Sequence, residues 1–506
     1  MNFDRYYKRN LSPFHNARQM KEILFSPHRN KFLWGLSILL VCAWFSNGTH
    51  HYDEHYQILE FANLKMGGTS ADQMPWEFHE QIRPAIQPAI AFAFMKVCSF
   101  ITLTNPFTIT LLLRIFIGIV SWFVTCKMLS LLIRDLSNQR SIRLFIFMSF
   151  FLWWIPYINV RFSSENLSAI LLLAGIFFFL KSSILSVKSI VIAGLLFGFA
   201  FFVRFQICFA VAGFVLWLIL IRKISLKQFL LLSMSIAVGT AICILIDRWY
   251  YGHWLLTPLN YFHANLVLGK AAGWGVFPWW YYFTQFFVKA IPPISIFLLL
   301  AFFVGVYKNL RNALVWTIIP FLLGHMLVGH KEMRFLFPVC FIFIYIASLG
   351  IQDLLERKWY LKMHKAIVVI SIIIILPVGI YRTIAPADVA IPYLEFLYHY
   401  QPEQTTEVLS IQDDVYKLSG LEANYYRPMH ITPYAFSDTI SIRDFVSQKQ
   451  PDHFLFLNTR FPFTLNVDGY KSEMIYCAYP DWVLKVNINH WQERTYIWSF
   501  YKFSKV

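Results

Sequence analysis

Arg83-Pro84-Ala85-Ile86-Gln87-Pro88 opens an apolar stretch that runs over 84–102 and stops ahead of Thr104-Asn105-Pro106. Whether that stretch crosses a bilayer or lies along its surface decides the side on which every later loop falls. Upstream, Arg5, Lys8, Arg9, Arg18, Lys21, Arg29 and Lys31 load the first 31 residues with positive charge, which places them on the cytoplasmic side. Downstream, basic clusters recur at Arg134/Arg140/Arg143, Lys181/Lys188, Arg222/Lys223/Lys227, Lys308/Arg311 and Arg357/Lys358/Lys362/Lys365. If 84–102 spans, the cluster at Arg134 falls on the wrong side. If it is interfacial or re-entrant, every cluster is cytoplasmic, and that register is the one adopted.

The composition suits a bilayer. Of 506 residues, 57% are hydrophobic, 19% aromatic and only 14% charged, whereas a soluble domain carries about a quarter charged residues. Apolar runs at 32–47, 107–133, 142–158, 166–181, 186–203, 205–221, 228–246, 279–306, 312–328, 335–353 and 365–384 read as about eleven transmembrane helices of an α-helical polytopic protein. The net charge of +16 lies mostly in the tail and cytoplasmic loops, so orientation accounts for it and no nucleic-acid partner is needed. A long polar, basic stretch precedes the first run, which predicts a retained anchor rather than a cleaved signal. Six cysteines sit in apolar runs and only Cys477 in a polar context, without metal-ligand or redox spacing.

This register sends 385–506 out of the cytoplasm as a small mixed α/β domain. Its alternating segments His453-Phe454-Leu455-Phe456-Leu457 and Trp482-Val483-Leu484-Lys485-Val486 read as strands. The plan is therefore a basic tail at 1–31, a transmembrane domain at 32–384 with a first outer loop at 48–106, and a soluble C-terminal domain at 385–506.

The unusual polar clusters then share the outer side. In His51-Tyr52-Asp53-Glu54-His55-Tyr56-Gln57, two adjacent carboxylates stand just past the first span. A partly desolvated carboxylate there can serve as a general base towards a hydroxyl. A plain solvated loop fits the same residues. So does metal binding, since His51 and His55 share a helix face, although nothing completes a ligand set. Pro75-Trp76-Glu77-Phe78 and Gln81-Ile82-Arg83-Pro84 suit either an interfacial anchor or substrate contact. Arg161 can meet a phosphate or pair with Glu165, and Arg204 can snorkel from its span end or bind a phosphate. The segments around Asp247, Tyr251, Asn260 and the aromatic run 273–282 suit sugar stacking as well as an aromatic belt. His330-Lys331-Glu332-Met333-Arg334-Phe335 makes an anion site just before a span.

Taken in order, His51-x-Asp53-Glu54-x-x-Gln57, Pro75-Trp76-Glu77-Phe78, Asp247-x-x-x-Tyr251-Gly252 and His330-Lys331-Glu332-x-Arg334-Phe335 resemble the membrane mannosyltransferases of glycosyltransferase family 22. The first-loop and His-Lys-Glu-x-Arg-Phe motifs are most similar to those of its GPI-anchor enzymes. The resemblance runs from about residue 30 to about 355 and then thins to Tyr425-Tyr426-Arg427-Pro428. It implies a GT-C fold with interfacial helices in the first outer loop. It also implies a polyprenyl- or dolichyl-phosphate mannose donor, used on the extracytoplasmic side with inversion at the anomeric carbon and without a nucleotide sugar; the acceptor expected is a glycan or glycolipid, and no cofactor or metal is expected. On that reading Asp53 is the base, with Glu54 orienting it or exchanging roles. Arg204, His330, Lys331 and Arg334 would hold the donor phosphate. His51, Gln57, Trp76, Glu77, Arg83, Arg161, Asp247, Tyr251, Asn260 and Glu332 would line the substrate site. The absence of a Gly-rich phosphate loop agrees with a lipid-phosphate rather than a nucleotide donor.

Two other classes compete. A lipid-linked sugar transporter would place ionisable groups near mid-membrane, often in repeated halves, and no repeat is visible. A GT-C transferase using another lipid-linked sugar, of the aminoarabinose or protein O-glycosyl type, would keep the fold without these motifs. A bacterial plasma membrane and an endoplasmic reticulum membrane place the site on equivalent sides, and the sequons at Asn47 and Asn166 lie too near the membrane edge to choose.

Overall fold

A computed structural model describes residues 28–506 except Glu356, Arg357, Val389, Pro402, Phe461, Pro462 and Thr464, and leaves the side chains of 356–368 undescribed. The basic tail up to residue 27 and the cationic side chains of the Arg357–Lys365 cluster therefore lie outside the described residues. The chain forms two compact units. The first takes the residues up to Ser46, then Glu80–Ile90 and Leu112–Ala385; the second takes Asn47–His79, Ala91–Leu111 and Pro386–Val506.

The first unit is helical. Among the described residues, Pro106–Asp135, Leu226–Tyr251 and Met333–Leu355 are long and apolar enough to cross a membrane. Helices Ile294–Lys308 and Ala313–Leu327 meet at a 120° bend, and shorter apolar helices accompany them. Helix Leu226–Tyr251 shows how such a segment is built. Ser225 caps it through the Gln228 amide, and Gln228 returns a bond to the Ser225 amide. Leu226, Leu230, Met234, Val238, Ile242, Leu245 and Trp249, three to four residues apart, are all exposed, a continuous apolar stripe that suits lipid. The opposite face packs on helix Val187–Val203 at Gly194 and Gly198. A Cβ on Gly198 would stand 2.6 Å from the Ile236 carbonyl, so only glycine permits that approach.

Eight expected spans coincide with single helices: Arg29–Phe45, Pro106–Leu132, Ser164–Leu180, Val187–Val203, Ile207–Leu220, Leu226–Tyr251, Ala313–Leu327 and Lys358–Ile384. A ninth, 335–353, lies within the apolar helix Met333–Leu355. Two do not. The run 279–306 is divided into Tyr281–Lys289 and Ile294–Lys308, because Pro292 and Pro293 supply no amide hydrogen to carry a helix across. The run 142–158 stops at Phe151 and restarts as Trp154–Asn159, since the Pro156 ring excludes the Leu152 carbonyl from a continuous helix. The apolar stretch 84–102 becomes helix Ile86–Phe100. Its 15 residues reach about 22 Å, against roughly 30 Å of hydrocarbon. Val97, Phe100 and Ile101 are exposed beside it while Ala91, Met95 and Cys98 are buried.

The second unit contains a five-stranded sheet in the order Ile431–Phe436, Thr406–Ile411, His453–Asn458, Ser499–Lys505 and Tyr470–Cys477. The first two contacts are parallel and the last two antiparallel. Helix Thr439–Lys449, capped by Asp438 onto the Ser441 amide, connects two parallel strands and buries Ile442 and Val446 against Leu409, Phe454 and Phe503. The expected strand at His453 is present. The one expected at Trp482–Val486 is instead a helical turn, Asp481–Leu484, with Trp482 and Val486 exposed. Asp481 favours the helix N-terminus there.

First-loop residues also belong to this unit. Tyr56 and Phe107 share its core with Leu394, Leu397, Val408, Tyr416 and Tyr426. The Tyr56 hydroxyl lies 2.7 Å from the Leu418 carbonyl and 2.6 Å from that of Leu421.

Candidate active site

In the second unit, Asp53 and Glu54 stand in the single turn Tyr52–Glu54. His51 caps that turn: its Nδ1 lies 3.2 Å from the Asp53 amide and also 3.2 Å from Asp53 Oδ1. One nitrogen cannot accept from the amide and donate to the carboxylate together. A neutral ring protonated at Nε2 caps the turn, whereas an imidazolium pairs with the carboxylate. Glu54 Oε2 accepts from the His50 amide at 3.2 Å. The next residues form a π-helical turn, His55–Leu59, from which Gln57 donates to Glu77 Oε1 at 3.1 Å. That bond joins two motifs far apart in the sequence. Trp76 and Glu77 lie on the short helix Trp76–His79, with Glu77 buried.

His55 faces away from His51's role. It is buried, 3.0 Å from Glu60 Oε1 through Nε2, and stacks on Tyr426 at 5.2 Å. Tyr426 stacks in turn on Phe107 at 4.9 Å, and the Tyr425 amide donates to Glu60 at 2.8 Å. Tyr425-Tyr426, the motif that persists near the C-terminus, therefore packs against the acidic loop. Among the described residues no group of His, Cys, Asp and Glu could hold a metal ion.

The first unit holds the cations. Arg204 ends helix Val187–Val203, Glu165 lies in the first turn of Ser164–Leu180, and Met333–Val339 follows the His330–Glu332 segment. Arg204 Nη1 meets Glu165 Oε1 at 2.9 Å, and Arg334 Nη1 reaches the same oxygen at 3.5 Å. Arg334 also grips Glu332 through two nitrogens, at 2.6 and 3.0 Å. Paired guanidinium and carboxylate groups of this kind are strong and fix geometry. His330 joins them with Nε2 3.1 Å from Glu332 and Nδ1 3.1 Å from the Gly275 carbonyl. Phe335 is the hub. Around its ring lie Arg204 at 5.0 Å, Arg334 at 5.4 Å, and the His330 and His325 rings at 5.8 and 6.4 Å.

Lys331 is buried and turns its ammonium onto the carbonyls of Phe277 (2.9 Å), Gly329 (3.5 Å) and Val328. Burial pulls its pKa below the usual lysine value. Arg161 is buried too, bonds the carbonyl and hydroxyl of Ser46, and covers the Tyr157 ring at 5.0 Å.

Asp247, Tyr251 and Asn260 all hold the segment 81–85. Asp247 accepts from the Ala85 amide and the Thr257 hydroxyl, each at 2.7 Å. Tyr251 donates to the Arg83 carbonyl at 2.7 Å, and Asn260 to that of Gln81 at 3.2 Å. The Arg83 guanidinium lies over Tyr261 at 5.8 Å. The sequon residue Asn166 is buried and bonded to the Asn159 and Arg161 carbonyls.

Apolar helices bearing lipid-suited faces, a carboxylate turn and a buried lattice of arginines and glutamates together have the form of a membrane glycosyltransferase. The chain belongs to the Alg9-like mannosyltransferase family, which matches residues 32–437. It is 22% identical over 394 residues to GPI alpha-1,2-mannosyltransferase 3 of Bos taurus, covering 76% of this chain and 66% of that protein. With the Homo sapiens protein of the same name it shares 25% over 306 residues, 58% of this chain and 52% of that one. A Schizosaccharomyces pombe protein named probable Dol-P-Man:Man(7)GlcNAc(2)-PP-Dol alpha-1,6-mannosyltransferase is 34% identical over 138 residues, 26% and 24% of the two chains. The chain thus spans between half and two thirds of the GPI-type relatives' length.

Two groups were not singled out by sequence. Glu165 entered only as a partner for Arg161, whereas it bridges Arg204 and Arg334, which lie far from it along the chain. Tyr426 carried no signal beyond its place in a short aromatic motif.

Proposed function

We propose that the chain is an integral-membrane mannosyltransferase that moves mannose from a polyprenyl- or dolichyl-phosphate to a hydroxyl of a glycan or glycolipid, on the extracytoplasmic side and with inversion. Family membership supports the sugar. The observation that carries the donor type is Arg204: it is buried and held through Nη1 by Glu165, while Nε and Nη2 meet no hydrogen-bond partner among the described residues. Guanidinium edges held in place and left unengaged suit a phosphate.

Asp53 removes the proton from the acceptor hydroxyl as the oxygen attacks the anomeric carbon. The bond from that carbon to the phosphate oxygen breaks, and lipid phosphate leaves with the electron pair. Glu54 steadies the turn that carries Asp53. Arg204, Arg334 and His330 face the phosphate charge; Lys331 braces the loop before Met333–Val339. Asp247, Tyr251 and Asn260 serve the site through the segment 81–85. The 84–102 helix lies at the interface, and a GPI-type mannoside is the first acceptor to try, given the relatives' names.

The test incubates the purified chain with polyprenyl-phosphate mannose and a panel of lipid-linked and free mannosides. Transfer from that donor is expected. Turnover confined to GDP-mannose or to a lipid-linked aminoarabinose would overturn the reading.

A further inference from the structure

Arg204 is not alone. Tyr282 Oη and His325 Nε2 also lack a hydrogen-bond partner among the described residues. The three side chains are 8%, 4% and 3% exposed. They are also neighbours: the Tyr282 and His325 rings are 6.5 Å apart, and His325 and Arg204 flank Phe335 at 6.4 and 5.0 Å. Buried polar atoms without partners are few in folded proteins, and several together mark a place built to be filled.

Their chemistry is mixed. Arg204 can only donate. His325 Nδ1 lies 2.8 Å from the Phe321 carbonyl, which can only accept, so in the neutral ring the hydrogen is on Nδ1 and Nε2 presents a lone pair. Tyr282 can do either. A bare phosphate calls for donors throughout, and a lone pair beside it would be repelled. A glycosyl phosphate supplies both kinds of partner, with anionic oxygens for Arg204 and Tyr282 and a sugar hydroxyl for His325.

We propose that Arg204, Tyr282 and His325 form one subsite for a glycosyl phosphate, in which Tyr282 donates to the phosphate and His325 Nε2 accepts from a hydroxyl of the attached sugar. This rests on the lipid-phosphate donor reading and adds two residues to it, one of which reads the sugar.

Binding separates the two ideas. The full chain in detergent is titrated with polyprenyl phosphate and with polyprenyl-phosphate mannose, for the parent, Tyr282→Phe, His325→Phe and His325→Gln. Tyr282→Phe should weaken both ligands about tenfold, the size of one hydrogen bond to a charged group. His325→Phe should weaken only the mannose-bearing ligand, about tenfold, and His325→Gln, whose amide oxygen can accept, should recover much of the loss. Parent-like binding of both ligands by Tyr282→Phe and His325→Phe, or an equal loss of both ligands in His325→Phe, overturns the subsite. So does failure of the parent to bind either ligand. A parent that binds as expected yet transfers no mannose to any acceptor overturns the proposed activity and leaves the subsite standing.

Discussion

Asp247 was expected to touch substrate, and its geometry predicts something else. Its two oxygens satisfy two buried donors, the Ala85 amide and the Thr257 hydroxyl, both at 2.7 Å. Asp247→Ala orphans both. A buried donor left unsatisfied costs about 1–3 kcal/mol, so the pair costs about 2–6 kcal/mol. Asp247→Asn keeps the shape: Oδ1 can take the Ala85 amide, and Nδ2 can donate to the Thr257 oxygen. What is lost is the charge assistance and an acceptor for the Thr257 hydroxyl hydrogen, partly offset by no longer burying a charge, for a net of about 1–2 kcal/mol. Thermal and denaturant unfolding of the purified proteins, followed alongside mannosyl transfer, reads both effects. Asp247→Ala should melt well below the parent, and Asp247→Asn should melt close to it and keep most of its turnover. An Asp247→Asn protein that melts like the parent but is inactive would place the carboxylate on the ligand and refute the reasoning. An Asp247→Ala protein as stable as the parent would refute it equally.

Asp53→Asn should lower transfer by about 10²–10⁴-fold with little change in melting, and near-normal turnover removes Asp53 as the base. Tyr426→Ala removes a ring stacked between His55 and Phe107 and should destabilise the second unit by about 3–5 kcal/mol, seen as proteolysis within 47–79 under conditions where the parent is resistant. Burial holds the Asp388 carboxyl above the usual carboxylate range, although the Ala390 amide at 2.9 Å and nearby His55 both pull it down. Its native form therefore binds the proton more tightly than the unfolded chain. The stability it contributes is full below the unfolded pKa and falls as pH rises through the raised native one. Asp388→Asn should accordingly gain stability relative to the parent at neutral pH, with the gain shrinking towards pH 4; a gain that grows on acidification reverses the sign.

Much of this was legible beforehand, for identifiable reasons. Runs such as 107–133 and 228–246 carry a period-independent apolar signal, and each became one helix within a few residues of its expected ends. Where prolines interrupt the run, hydropathy averages over the break and the backbone does not, which is why 279–306 and 142–158 were misread although Pro156, Pro292 and Pro293 were in plain view. The site divided similarly. His330-Lys331-Glu332-x-Arg334-Phe335 is contiguous, so its cations were found; which of them faces a carbonyl was not, because Lys331's partner Phe277 and His330's partner Gly275 lie on another loop. Glu165 and Tyr426 act through residues brought beside them only by folding, and no local spacing announces them.

The hydroxyl of Tyr56 finds its carbonyl partner 362 residues further along the chain. At ribosomal speeds of about 5–20 residues per second, that partner is made roughly 20–70 s after the tyrosine. The carboxylate turn at Asp53 is thus made well before the strand pair that holds its neighbour Tyr56. Throughout that interval the nascent protein carries its acidic loop without the core that shapes it.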